Sequence, residues 1–485
     1  MPKHIVILFC DQLRYDAIAA LGKTEVQTPA IDALVKDSTK FSRCLTPSPV
    51  CVPARLSLFS GQYCNRHGNN NNNKNTTYHG KGFYNALTEA GYQSCCVGKM
   101  HHVWDRYGSM GFAERHTQEE LSDDADDYTA YIRENYPAVF DYNGQRSEMY
   151  YVPQISQLPA EAHPTQWIGD RCVEFLEKVD TEKPVFLFGS FIHPHPPFCP
   201  PAPWNKLYRR EGTPPYVPDN SADFHPLLHR SFACDRLGIS DIDALKLKNS
   251  YYACVSFVDY QVGCIIKVLK ERGMYDDTLI LFSSDHGECL GDFGNMGKRT
   301  MLDAAAHIPF TIKAPGYTET THNRADVCSL VDVAPTLLSY AGIPYDPKDF
   351  DGVDLLHEGH TEVYSQYDGD AKGVYMIATA QDKLIYHTKL DRYFYFDSFP
   401  ERVNRYEAVK DHPHVAALRE KLKAHIAADT HVDPKPSNRK KINPFGVGRL
   451  DHVARHNEEL ARIPEGYTVD LEMPSPEADF DAPKQ

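Results

Sequence analysis

Cys51 stands where a sulfur nucleophile could act beside a bound anion. The run Thr46-Pro47-Ser48-Pro49 holds the approaching backbone extended and disfavours helix before the cysteine. A helix is then expected from Pro53, because proline brings no orphan N–H to the first helical position, with Leu56 and Phe59 on its apolar face. Free N–H groups and the dipole at that helix start favour negative charge, and Arg55 adds a fixed cation one turn along. Further chemistry-bearing residues follow apolar runs elsewhere. Asp11 and Gln12 come after residues 5–10, and Lys99 and His101 after residues 94–97. His195 follows residues 184–191, and Asp285, His286 and, a dozen residues on, Lys298 follow residues 279–282. An ammonium neutralises oxyanions, an imidazole moves protons near neutral pH, and the prolines around His195 make it a positioned group. Each also has an ordinary structural reading, as core cysteine, polar turn or solvated charge.

The elements that must position these residues alternate. Continuous apolar runs at 4–10, 184–191 and 279–282, with shorter ones at 41–45, 94–97 and 308–313, suit strands buried on both faces. Between them, residues 29–36, 81–90, 163–179, 240–272 and 330–340 carry helical spacing, the fourth opened by a Ser-Asp cap and closed at Gly273. Strand and helix in turn predict an α/β fold with a large, mostly parallel sheet sandwiched by helices, and such sheets build sites at the C-terminal strand edge. A Pro-, Asp- and Gly-rich linker runs to about Lys372. Strands at 374–379, 383–388 and 393–396 with a helix at 414–428 then predict a small antiparallel sheet with a packed helix. The expected division is a catalytic domain over 1–345, an α+β subdomain over 373–430 and an extension over 431–485. Residues 105–164 read as polar, Tyr-rich and irregular, with an acidic patch at 119–127, and are expected to shape substrate access.

Cys51-Val52-Pro53-Ala54-Arg55, followed by a small-residue helix ending in Gly61, resembles the signature of the formylglycine-dependent sulfatases of the alkaline phosphatase-like superfamily, with Ala54 where most relatives have Ser. Gly98-Lys99-Met100-His101, Pro194-His195-Pro196-Pro197 and Asp285-His286-Gly287-Glu288 with Lys298 resemble that family's further motifs, in its order. The resemblance implies that Cys51 is converted to formylglycine by a maturase. It implies one divalent cation on Asp11, Gln12, Asp285, His286 and residue 51, with calcium the first choice and magnesium or manganese the alternatives. Gln12 replaces the second Asp of relatives, and an amide oxygen still ligates a hard cation with one charge fewer. By the same resemblance one hydroxyl of the formylglycine hydrate attacks sulfur while Lys99 and Lys298 hold sulfate oxygens. His195 with Lys298 assists the leaving alcohol, and His101 is the base for sulfate release. Asn72, in the Asn69–Asn73 run, is the candidate for facing the substrate. Phe293 and His307 stand where many relatives have His and Arg. The expected reaction is hydrolysis of a small-molecule or glycan sulfate ester. The alternatives are a phosphonate monoester or phosphodiester hydrolase using the same site, and a non-catalytic binder of sulfated ligands if Cys51 stays unmodified.

Composition limits the partners. Of 485 residues, 42% are hydrophobic, ample for a buried core, and the formal charge of -15 argues against nucleic acid or an anionic membrane. Thirteen cysteines without paired spacing are not a disulfide framework and point to a reducing compartment. The short run at 5–9 lacks a cleavage site and no apolar run is read as membrane-spanning, so a cytoplasmic protein is expected. The polar tail from Thr430, with Arg439-Lys440-Lys441, either wraps a neighbouring copy in a homo-oligomer or stays mobile.

Overall fold

The computed structural model describes residues 3–22, 25–72, 80–102, 106–120, 125–139, 142, 151–208, 223–228, 231–318 and 322–429. The 431–485 extension expected from the sequence lies outside the described residues. In chain order the strands are β1 (His4–Cys10), β2 (Thr39–Leu45), β3 (Gln93–Gly98), β4 (Glu114–Thr117), β5 (Val185–Phe191), β6 (Phe232–Ala233), β7 (Thr278–Ser284), β8 (Asn295–Met296), β9 (His307–Ile308), β10 (Phe310–Lys313), β11 (Asn323–Ser329), β12 (Val363–Tyr367), β13 (Val374–Ala378), β14 (Lys383–His387) and β15 (Arg392–Phe396).

The main sheet has the order β11-β2-β10-β7-β1-β5-β3-β4, with β9 on β2. β1, β5 and β7 are buried from end to end, as continuous apolar runs are when helices cover both faces of a parallel sheet. β1 is parallel to both neighbours, while β10 and β9 run against the rest. Side chains alternate across β1. Val6, Leu8 and Cys10 enter a core shared with the helices Pro29–Lys36, Pro164–Lys178 and Asp241–Glu271. Ile5, Ile7 and Phe9 enter a second core with Cys51–Ser60, Phe83–Glu89 and Val333–Ala341.

Strand register places the site. Cys10 lies opposite both Phe191 and Ser284, and Gly98 lies opposite Ser190. Asp11, Ile192, Lys99 and Asp285 therefore leave the sheet at one edge. Gly98 has φ +89° and approaches β5 so closely that an added Cβ would lie 2.1 Å from the Ser190 carbonyl oxygen. Only glycine makes that turn into Lys99 without displacing backbone.

Four expectations change. The helix at the cysteine begins at Cys51, not Pro53, with Val50 as N-cap. The N–H groups of a first turn lack intrahelical acceptors, so proline is accepted at its third position as well as its first. The 105–164 stretch is not wholly irregular: β4 forms the sheet edge, and a helix, Asp127–Asn135, is capped by Asp126 accepting from the Thr129 N–H. β4 is four residues of mostly charged sequence, Glu-Arg-His-Thr, which suits an edge and hides the strand from a hydrophobic pattern. The linker before Lys372 contains β12, the first strand of an antiparallel β12-β13-β14-β15 sheet. Finally, Asp241–Glu271 has the length and apolarity to cross a membrane by composition, but 72% of its apolar window is buried against the sheet and neighbouring helices.

Candidate active site

Every residue of the Cys51–Ser60 helix is buried, and Arg55 is its hub. The guanidinium donates to Asp285 Oδ2 (2.9 Å), Asp11 Oδ2 (3.1 Å), the Lys99 carbonyl (2.8 Å) and Ser190 Oγ (3.0 Å). One side chain thus ties together the ends of β1, β3, β5 and β7. Arg55 serves the carboxylates of the site, whereas the sequence reading gave it an anion.

Side-chain donor atoms of Asp11, Cys51, Asp285 and His286 all lie within 4.8 Å of one another. Oxygens each about 2.3–2.6 Å from one hard cation have that spread. His286 Nδ1 faces the Gly287 carbonyl at 3.0 Å, so Nδ1 carries the proton and Nε2 turns its lone pair to the cluster, 3.6 Å from Asp285 Oδ1. Gln12 donates its backbone N–H to Asp285 Oδ1 (3.0 Å), and its Oε1 is buried without a hydrogen-bond partner. Two carboxylates, an imidazole and a free amide oxygen fit a divalent cation with mainly oxygen ligands.

Cys51 Sγ lies between this cluster and a set of cations. It accepts from Lys298 Nζ (2.9 Å) and is 3.3 Å from His286 Nε2 and 3.8 Å from Asp11 Oδ1. Lys99 Nζ pairs with Asp11 Oδ2 (2.5 Å) and with Glu120. The same Glu120 oxygen, Oε1, is 3.5 Å from His195 Nε2 and 3.9 Å from His101 Nδ1. His195 is fixed by Nδ1 donating to the Pro196 carbonyl at 2.7 Å. Asn72 Oδ1 accepts the Val52 N–H (2.9 Å), which seats it on the helix start beside Cys51.

The Sulfatase family model matches residues 3–343, and the model described as N-sulphoglucosamine sulphohydrolase, C-terminal, matches residues 291–431. The chain belongs to the sulfatase family. This sulfatase is 27% identical to an arylsulfatase of Clostridium perfringens, over 82% of this chain and 88% of that protein. It is 29% identical to a choline-sulfatase of Rhizobium meliloti, over 79% and 77% respectively. Its fold matches a phosphonate monoester hydrolase of Agrobacterium radiobacter at TM-score 0.74 and 22% identity, covering 88% of this chain and 95% of that one. The sulfatase is therefore a sulfuric ester hydrolase of the alkaline phosphatase-like fold, and its family generally uses a metal ion and formylglycine.

Burial and charge set the protonation of the sulfatase site. Burial would lift the Asp11 carboxyl, but Lys99, His195, Arg55 and Lys298 hold it well below the usual carboxylate range. Asp285 is pushed up to about 6 by burial and by Asp11 beside it. Cys51 is pushed up to about 11 by burial and Asp11, against the two lysines, so it is a thiol at neutral pH. Burial, with Lys298 beside it, lowers His195 to about 3, and burial with Lys99 holds His101 well below its usual value. Both imidazoles are neutral near pH 7.

Three acidic residues had no role assigned from sequence. Glu120 sits among Lys99, His101 and His195, and Glu119 Oε1 accepts the Met100 N–H (2.9 Å) and shapes the Lys99–His101 turn. Glu288 holds Gln12. Glu119 and Glu120 belong to the acidic patch at 119–127, and Glu288 stands three residues after Asp285 in its motif. His307, in place of the family Arg, stacks on Tyr15 at 4.0 Å, and Phe293 is buried in the core under the C-terminal sheet. A further buried group, His163, His193 and Cys199, is close enough to share an ion. However, His163 Nδ1 accepts the Thr165 N–H as a helix cap, which places the ring proton on Nε2 toward the Cys199 carbonyl and satisfies that ring.

Proposed function

We propose that this sulfatase hydrolyses a sulfate monoester by way of formylglycine at position 51 and one divalent cation, calcium by preference. One observation carries the reading: Cys51 Sγ is at once 2.9 Å from the Lys298 ammonium and within the Asp11, Asp285 and His286 cluster. A nucleophile there meets an anion whose charge is balanced from both sides. As a thiol pushed up to about 11, cysteine itself is a poor nucleophile and offers a single nucleophilic atom. Formylglycine at position 51 would, as its hydrate, supply two hydroxyl groups in place of the single sulfur. A cation held by this cluster would supply Lewis-acid stabilisation of the sulfate group.

The remaining tasks belong to this chain's own side chains. Asp11, Gln12, Asp285 and His286 would hold the cation, with Arg55 fixing both aspartates. Lys99 and Lys298 face the sulfate oxygens. Because His195 is neutral, with its proton on Nδ1 toward Pro196, Lys298 is the ready donor for the leaving oxygen and His195 Nε2 orients it. His101 Nδ1 is buried and has no hydrogen-bond partner, so it is free to take the proton as sulfate is released. Asn72, held by the Val52 N–H beside Cys51, is the residue assigned to face the substrate.

The test is mass spectrometry of the tryptic peptide of residues 44–55 from active protein, together with rates on an aryl sulfate and an aryl phosphonate ester. Aldehyde at position 51 and a faster sulfate ester are expected. Full activity with unmodified cysteine overturns the mechanism, and a faster phosphonate moves the assignment to the phosphonate hydrolases.

A further inference from the structure

The Gln12 ligand raises a problem that an aspartate would not. The two carboxylate oxygens of an aspartate are equivalent, whereas an amide presents oxygen at one end and two N–H donors at the other, and only the oxygen ligates a cation. Rotated by half a turn, Gln12 would aim hydrogens at the metal site. Something must tell the two ends apart.

Glu288 does so. Its carboxylate is 0% exposed and receives four donors. The Leu290 N–H (3.0 Å) and the Gly297 N–H reach Oε1, and the Tyr151 hydroxyl (2.9 Å) and Gln12 Nε2 reach Oε2. Four donors on four lone-pair positions leave no place for an acid proton, so the carboxylate acts purely as an acceptor. Only the NH2 end of Gln12 can face it, and Oε1 must face away. That oxygen is the buried, unpartnered atom of the side chain. The backbone of Gln12 is pinned as well, by its N–H on Asp285 Oδ1 (3.0 Å) and by its carbonyl accepting from the Tyr251 hydroxyl (2.8 Å).

We propose that Glu288 is a positioning residue for the cation, which selects the oxygen end of Gln12 as a ligand. It touches neither substrate nor cation, and acts through one hydrogen bond on a ligand whose chemistry is ambiguous without it. The inference rests on the reading that the Asp11, Asp285 and His286 cluster takes a divalent cation.

The experiment measures calcium affinity calorimetrically on the full-length protein after dialysis against chelator, so the readout is independent of turnover. Glu288→Gln should bind calcium roughly 10- to 100-fold more weakly, the usual cost of losing a partner behind a metal ligand. The exchange Gln12→Glu with Glu288→Gln reverses the hydrogen bond: the amide at 288 donates to a carboxylate at 12, whose other oxygen faces the cation. It should restore affinity to within about threefold of the parent or better, which a purely structural role of Glu288 would not do. Unchanged affinity in Glu288→Gln overturns the inference, as does a double exchange that stays weak or cannot fold. A parent protein that binds neither calcium, magnesium nor manganese overturns the cation reading and the inference with it, a result distinct from a failed rescue.

Discussion

Glu120 places one carboxylate oxygen against three side chains, Lys99, His101 and His195, to which the proposed mechanism gives roles at the sulfate. Burial would raise its carboxyl, but Lys99, His195 and His101 hold it well below the usual range, so it is an anion in the place of an anion. On the proposed mechanism an incoming sulfate ester displaces it, and Lys99 exchanges one charge-assisted hydrogen bond for another. Glu120→Gln should therefore lower KM for an aryl sulfate and the inhibition constant of inorganic sulfate by roughly tenfold, with kcat little changed, because the competitor is removed from binding alone. Steady-state kinetics at matched metal content check this, and unchanged sulfate inhibition would show that Glu120 does not compete for the pocket. The sequence shows Glu120 as one member of the acidic patch at 119–127, but not its contacts with Lys99, His101 and His195. Asp11, Lys99, His195 and Asp285 each follow an apolar run whose end marks the sheet edge, while Glu120 follows a charged four-residue strand with no hydrophobic period. Arg55 was visible, but its partners were not, since they come from four strand ends brought together only by register.

At the scale of elements, the long buried strands and their helices are readable from pattern because each buries one continuous run. β12 is not, since it is five residues set in Pro-, Asp- and Gly-rich sequence, and only its pairing with β13 makes it a strand. The chain before β12 is held by His360, which bridges to Val327 in β11 and whose Nε2 meets Asp332 Oδ1 at 2.6 Å, just before the Val333–Ala341 helix. Burial would lower the His360 pKa, but the Asp332 hydrogen bond and charge outweigh it and raise it above the ordinary 6.5. A folded-state pKa above the unfolded value stabilises fully below the unfolded pKa, and the stabilisation is lost as pH rises through the folded one. Urea midpoints of the parent and of His360→Gln should therefore differ most near pH 6 and converge by about pH 9. A gap that stays constant across that window would mean that the pair does not titrate as an ion pair.

At the scale of the whole molecule, the small C-terminal sheet shares its core with the large one. Val363, Met376, Ile385, Phe394 and Phe396 pack with Leu45, Val50, Met301 and Leu302, while the opposite face takes Val415, Leu418 and Leu422 of the Pro413–Ala427 helix. One buried cation crosses the junction: Lys383 Nζ, on β14, donates to the Met301 carbonyl (2.7 Å) and Asp303 Oδ1 (2.8 Å) and pairs with Glu401. Asp303 in turn pairs with Arg43 on β2, so the C-terminal sheet is tied by charge to the edge region of the catalytic sheet. Removing one member of a buried ionic network leaves the others unbalanced and costs about 3 kcal/mol or more. Lys383→Met should lose that much stability. Trp167 packs in the core beneath the large sheet and Trp204 stacks on Phe257 of the Asp241–Glu271 helix, so their fluorescence reports the large sheet and its helices, whereas the substitution lies in the small one. If the shared core makes the two sheets one cooperative unit, tryptophan fluorescence and far-ultraviolet circular dichroism must give a single urea transition that moves to the same lower midpoint in the variant. A tryptophan midpoint that stays in place while the dichroism transition splits would show that the sheets fold separately.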